Sequence, residues 1–168
     1  MRKLMCLVTL LTIPFTQELA PTFYLPDLNG NSFFASQHYG VESEKPQVTV
    51  ISFFATWCAP CQKEIKALEQ LKLKYPSVGF YLINYKETDD IILQWQRKMN
   101  TPLTILLDRY GRTATKFDVT VPTANEKLTV NLPTLFVISK EGKIIHTHSG
   151  FEEKDAKLLE EILETYED

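Results

Sequence analysis

Cysteine is scarce in this chain, with three in 168 residues. That is too few for a disulfide scaffold, and two of them, Cys58 and Cys61, are separated by only two residues. Such a pair points to redox or metal chemistry. Long apolar runs are also missing: after the first fifteen residues no segment approaches the ~20 apolar residues of a membrane span. There is no basic block, and the formal net charge is -3, so nothing suggests a nucleic-acid surface. Internal repeats and low-complexity tracts are absent as well. What remains is 44% hydrophobic and 23% charged, the composition of a soluble domain with enough apolar material for one core.

Met1, Arg2 and Lys3 form a short basic start before an apolar run over 4–15, broken only by Thr9, Thr12 and Pro14. A basic segment followed by ~7–15 apolar residues describes a secretory signal. Residues 1–19 are therefore read as a signal peptide or short N-terminal anchor, and 20–168 as one extracytoplasmic domain. Ala20 has Glu18 three positions upstream and Pro21 after it, a poor cleavage site. Cleavage nearer Thr16 and retention of an uncleaved leader both stay open, as does a buried N-terminal element of a protein that is not exported.

Short apolar–polar alternations over 23–28 and 32–35 flank Asn29-Gly30, a hairpin turn signal. The dense apolar run over 47–55 suits a central strand buried on both faces. Cys61, Ile65, Leu68, Leu71 and Tyr75 then recur at three- and four-residue spacing, which predicts a helix from about 58 to 74. Further strands are expected over 78–85 and 103–107. The helix between them is capped by Thr88-Asp89-Asp90 and buries Ile91, Ile92, Trp95 and Met99. A hairpin over 134–147 turns at Glu141-Gly142, and a last helix over 152–165 buries Leu158, Leu159, Ile162 and Leu163. This order implies an α/β fold, a mixed central sheet with helices on both faces and a hairpin at the start.

Cys58 falls just after a buried strand, at the first turn of an amphipathic helix. Unpaired N–H groups and the helix dipole favour negative charge there. In Cys-X-X-Cys motifs at helix starts the thiol pKa falls from about 8.5 to ~3.5–7.5, and the thiolate is the nucleophile. Cys61, one turn further in on the buried face, is placed to resolve a mixed disulfide on Cys58. Pro60 fits the first turn, where a missing N–H costs nothing. A structural zinc site would need four ligands, and only Cys6 and three scattered histidines are left. No metal is assigned, and the exchange needs no organic cofactor. His146 and His148 alternate along a strand and share one face. They are read as a solvated hairpin face.

The run Phe53-Phe54-Ala55-Thr56-Trp57-Cys58-Ala59-Pro60-Cys61 resembles the active-site segment of the thioredoxin superfamily, and more closely its extracytoplasmic TlpA/ResA-like branch. Leu25-Pro26-Asp27-Leu28-Asn29-Gly30 is similar to the branch's opening hairpin. Leu132-Pro133-Thr134 looks like the cis-proline loop, and Lys140-Glu141-Gly142-Lys143 like the closing hairpin. The resemblance implies a thioredoxin-like fold and thiol–disulfide exchange with exported proteins, as a reductant in cytochrome c maturation or envelope thiol maintenance. It implies a membrane-bound electron donor too. It also implies roles: Pro133 cis beside Cys58, Leu132 pairing with a substrate strand, Trp57 shaping the docking surface, and Glu64 carrying protons for Cys61. Two departures stand out. Ser52 occupies the place of the buried aspartate of thioredoxins, and Lys66 that of a helix-kinking proline. Residues 118–131 exceed the family's usual link and are expected to form added strand or a flap that selects the partner.

Two other functions are weighed. Peroxide reduction on this fold needs a lone reactive cysteine in a Thr-X-X-X-Cys approach, which is missing here. A Sco-like copper-binding maturation protein would use Cys-X-X-X-Cys and a distant histidine, for which His146 or His148 could stand, but the cysteine spacing is one residue short.

Overall fold

The computed structural model describes residues 18–122 and 128–167; the apolar N-terminal run and the tip of the long insertion lie outside the described residues. Strands β1 (Tyr24–Pro26) and β2 (Ser32–Phe34) form the expected opening hairpin. Asp27 shapes its turn by accepting from the N–H groups of Asn29 and Asn31, both at 2.8 Å. The next strand, β3 (Thr49–Phe54), is buried along its whole length, as its nearly continuous apolar run suggests, with Thr49 and Ser52 as buried polar members. It is followed by α1 (Ala59–Lys74), β4 (Gly79–Tyr85), α2 (Asp89–Met99) and β5 (Thr104–Asp108).

A short helix that hydrophobic periodicity does not signal, α3 (Arg112–Lys116), comes after the turn at Gly111. The long insertion then forms a small antiparallel pair, β6 (Thr120–Pro122) with β7 (Leu128–Val130). Strands β8 (Thr134–Ile138) and β9 (Ile144–Ser149) make the closing hairpin, and α4 (Glu153–Tyr166) ends the fold.

The main sheet has the order β5-β4-β3-β8-β9, with β3, β4 and β5 parallel and β8 and β9 antiparallel to their neighbours. Two cores follow. One holds Val50, Phe54, Ile65, Leu68, Leu82, Leu135, Val137, Leu159 and Leu163, contributed by the sheet and by α1 and α4. The other holds Phe33, Ile51, Phe53, Phe117, Phe136 and Ile138. Glu18 and Leu19 already join the fold ahead of the boundary at 20, since Glu18 O accepts from Ile144 N–H at 2.8 Å and Leu19 bridges Lys143.

Three local expectations need correction. Ile91 is 47% and Leu158 44% exposed. Each sits next to a buried residue, Ile92 or Leu159, and consecutive helix positions diverge by about 100° around the axis. A helix that packs on one side buries only one of the two. Thr88 does occupy the N-cap of α2, but its side chain makes no capping hydrogen bond. In the same first turn Asp89 takes a two-pronged ion pair from Arg109, at 2.6 and 2.9 Å. That contact holds the Asp89 carboxyl below its ordinary range.

Candidate active site

Strand β3 ends at Phe54, and four residues later Cys58 is the N-cap of α1 in extended conformation. The N–H of Cys61 donates to Cys58 Sγ at 3.2 Å, so the sulfur takes the place of a capping oxygen. The two cysteines are joined as a disulfide with Cα atoms 5.3 Å apart. Cys58 is 4% exposed and Cys61 fully buried, while Trp57 beside them is 67% exposed. Ala59 and Pro60 are also exposed, and no acidic residue lies in the first turn of α1 to oppose a thiolate.

The Leu132–Pro133 peptide is cis. Leu132 packs against the core that contains both cysteines. The loop is held from both ends: Gly150 N–H donates to Pro133 O at 2.9 Å, and Thr134 Oγ1 lies 2.7 Å from Asn131 O and 2.9 Å from Ser149 Oγ.

One turn beyond Cys61, Glu64 points into the sheet and is 1% exposed. Ser52 Oγ–H donates to its Oε2. Its Oε1 lies 3.1 Å from His148 Nε2, and His148 Nδ1 lies 3.2 Å from His146 Nε2. Sheet register explains the meeting. Ser52 pairs with Leu135 and Leu135 with His148, so the three form a row across one face; Val50, Val137 and His146 form the next. Helix α1 lies over that face and lowers Glu64 onto the first row. The histidines therefore turn inward, against the expectation of a solvated hairpin face, and His148 keeps only 14% of its side chain exposed. Burial pulls the His146 pKa down, repulsion from His148 adds to it, and Asp155 of α4 opposes both.

A second carboxylate holds the approach to the motif. Glu87 accepts from Thr56 N–H at 2.7 Å, from Thr56 Oγ1–H at 2.5 Å and from Asn84 Nδ2–H at 2.7 Å. Gln62 Nε2–H also donates to Thr56 O at 3.2 Å. The residue that leads into Trp57 and Cys58 is thus tied to the end of β4 and to α1.

A family model described as the AhpC/TSA family matches residues 16–147. The chain belongs to the AhpC/TSA family. Among its relatives, the thiol-disulfide oxidoreductase ResA of Bacillus thuringiensis subsp. konkukian is 28% identical over 146 residues, covering 86% of this chain and 74% of the relative. A thiol:disulfide interchange protein DsbE homolog of Paracoccus denitrificans is 30% identical over 107 residues, covering 63% and 52%. A Chlorobium tepidum crystal structure assigned as thiol:disulfide interchange protein DsbE superposes with a TM-score of 0.75 at 24% identity, over 89% of this chain and 95% of that one. The fold is thioredoxin-like, and this AhpC/TSA-family chain is a thiol–disulfide oxidoreductase of the ResA/DsbE type.

The structure brings Cys58, Cys61, Trp57 and Pro60 together at the start of α1, puts Glu64 on that helix's buried side, and packs Leu132 on the same core. Sequence reasoning missed Glu87 and misplaced His146 and His148. For the histidines a signal existed, because Thr147 and Ser149 are the smaller polar residues of the alternation and take the more exposed positions. Glu87 had none, since the partner that ties it to the motif, Thr56, lies 31 positions away. Among the described residues no group of three or more His, Cys, Asp or Glu could hold a metal ion.

Proposed function

We propose that the chain works outside the cytoplasm as a reductant of cysteines in exported proteins, for example in cytochrome c maturation or envelope thiol maintenance. The residues ahead of Glu18 serve as its export signal or tether, and a membrane-bound donor returns its electrons. The observation that carries the exchange chemistry is Cys58 at the N-cap of α1 with the Cys61 N–H on its sulfur; the reducing direction is taken from the resemblance to the TlpA/ResA-like branch. In the reduced chain that position stabilises the Cys58 thiolate through the helix dipole and a backbone donor. Cys58 attacks one sulfur of a client disulfide and forms a mixed disulfide. Cys61 then attacks Cys58, and the client leaves as a dithiol. Both electrons come from the two sulfurs, so no further cofactor takes part.

Cys61 has to lose a proton for the second step, and it is fully buried. Glu64, one turn along the same helix, takes that proton. Trp57 and Pro60 form the exposed rim that meets the client, while the Leu132 backbone beside Pro133 pairs with the client strand. The names of the ResA and DsbE relatives support exchange with protein thiols.

A redox titration of the chain in dithiothreitol buffers, with free thiols counted by a mass tag, tests the reading. The expected result is one two-electron transition, absent in Cys58→Ser, near the thioredoxin value of about −270 mV. A potential near about −120 mV, that of DsbA, would make the chain an oxidant and overturn the proposed direction. No reversible transition would overturn disulfide exchange itself.

A further inference from the structure

Cys61 and Glu64 share a difficulty. Cys61 is fully buried and Glu64 is 1% exposed, so a proton passed between them has no direct route to water. Among the described residues Glu64 has two side-chain partners. Ser52, on its Oε2, is fully buried inside the sheet and leads nowhere. His148, on its Oε1, uses both ring nitrogens: Nε2 faces Glu64 and Nδ1 faces His146. His146 is half-buried at the outer end of this line. An imidazole bonded through both nitrogens can take a proton at one and release another at the other, which a glutamine or asparagine in its place cannot do.

We propose that His148 and His146 relay protons between Glu64 and solvent, so that the three side chains form one path serving Cys61. The proposal rests on the reading of Glu64 as the proton carrier. His148 and His146 act through Glu64 and are positioning residues rather than catalytic ones.

The step balances as follows. In the mixed disulfide, the Cys61 S–H proton passes to Glu64. The Cys61 thiolate attacks Cys58 Sγ, the new Cys58–Cys61 bond forms, and the bond from Cys58 to the client breaks with its electron pair leaving on the client sulfur. The client thiolate takes a proton from water. Glu64 hands its proton to His148 Nε2 while the Nδ1 proton of His148 moves to His146 Nε2 and His146 releases one to solvent. When the donor later reduces the Cys58–Cys61 disulfide, Cys61 regains a proton along the same line in reverse, which resets both ring tautomers.

The ionisable groups facing the line are Glu64 of α1 and Asp155 of α4; the neighbouring β8 positions, Leu135 and Val137, are apolar. Burial keeps His146 neutral more readily than a free histidine, the state in which it can accept a proton.

The test is stopped-flow oxidation of the reduced chain by a small aromatic disulfide whose released thiolate is coloured. The first release reports attack by Cys58, and the second, independent of reagent concentration, reports resolution by Cys61. Measurements run from acid to alkaline pH in light and heavy water. His148→Gln is expected to leave the first release unchanged and to slow the second by about tenfold, less than the ~10²–10⁴-fold lost with a directly acting acid or base. His146→Gln, at the half-buried end where substitution is better tolerated, is expected to slow the second release too. Both variants should lose its decline at low pH and its solvent isotope effect. If Glu64→Gln slows the second release while both histidine variants match the native chain, the relay is overturned and the Glu64 reading survives. If Glu64→Gln has no effect, the Glu64 reading falls and takes the relay with it. A slower second release with the native pH profile and isotope effect would show that the histidines only hold Glu64 in place, and would also overturn the relay.

Discussion

Replacing Glu87 by alanine should destabilise the chain by an amount that its partners allow to be worked out. Three donors converge on this carboxylate, two from Thr56 and one from Asn84. Hydrogen bonds to a charged group contribute ~1.5–3 kcal/mol each when well shielded, and a buried donor left without a partner costs ~1–3 kcal/mol. The Asn84 amide is 1% exposed, so water does not replace its lost acceptor and the full cost applies. Thr56 is only half-buried, and water recovers part of its loss. Together these place Glu87→Ala at about 2–4 kcal/mol. Guanidinium unfolding of the oxidised chain at neutral pH should show a lower midpoint with an unchanged slope, the sign of lost stability rather than an altered unfolded state. A Thr56→Val partner would close a double-mutant cycle, with an expected coupling of about 1 kcal/mol or more. A loss under about 0.5 kcal/mol, the usual size for a surface change, or a coupling near zero would refute the view that Glu87 pins the approach to Cys58.

Two further outcomes are expected. Trp57→Ala should leave stability within about 0.5 kcal/mol, because the ring is 67% exposed; steady-state assays with a disulfide-bonded protein client should nevertheless show a lower kcat/KM, and an unchanged value would remove Trp57 from the docking surface. The pH dependence of stability should carry the mark of two half-buried histidines. Burial lowers the pKa of both His146 and His38 below the unfolded 6.5, so the unfolded chain binds more protons between the folded and unfolded values. Their contribution is complete above pH 6.5 and is lost as pH falls through the lowered folded values. The urea midpoint should therefore drop on moving from pH 7.5 into the mildly acid range, and His38→Gln should make the drop shallower. A midpoint that rises with acidification would contradict the assigned direction.

The sequence by itself determined the elements whose causes are local. A nearly continuous apolar run from Val48 to Phe54 makes a buried strand, and the three- and four-residue spacing from Cys61 to Tyr75 makes the helix after it. Where these two meet, Cys58 becomes an N-cap because of chain order alone, and the thiolate chemistry follows from that. The turn signals at Asn29-Gly30 and Glu141-Gly142 located both hairpins for the same reason.

Tertiary structure decided what depends on register and on which stripe of an element meets a neighbour. Alternation along β9 puts His146 and His148 on one face, but only the pairing of β9 with β8, and of β8 with β3, determines that this face lies under Glu64. A shift of one residue would turn both rings to the other side of the sheet. In the same way Ile91 and Leu158 looked as apolar as their buried neighbours, and only the docking of α2 and α4 chose between adjacent positions. Glu87 reached Thr56 because β3 and β4 are parallel neighbours, which brings their C-terminal ends together. The cysteines could be read from a short stretch of chain; the carboxylates and histidines around them belong to a site assembled from β3, α1, β4 and β9.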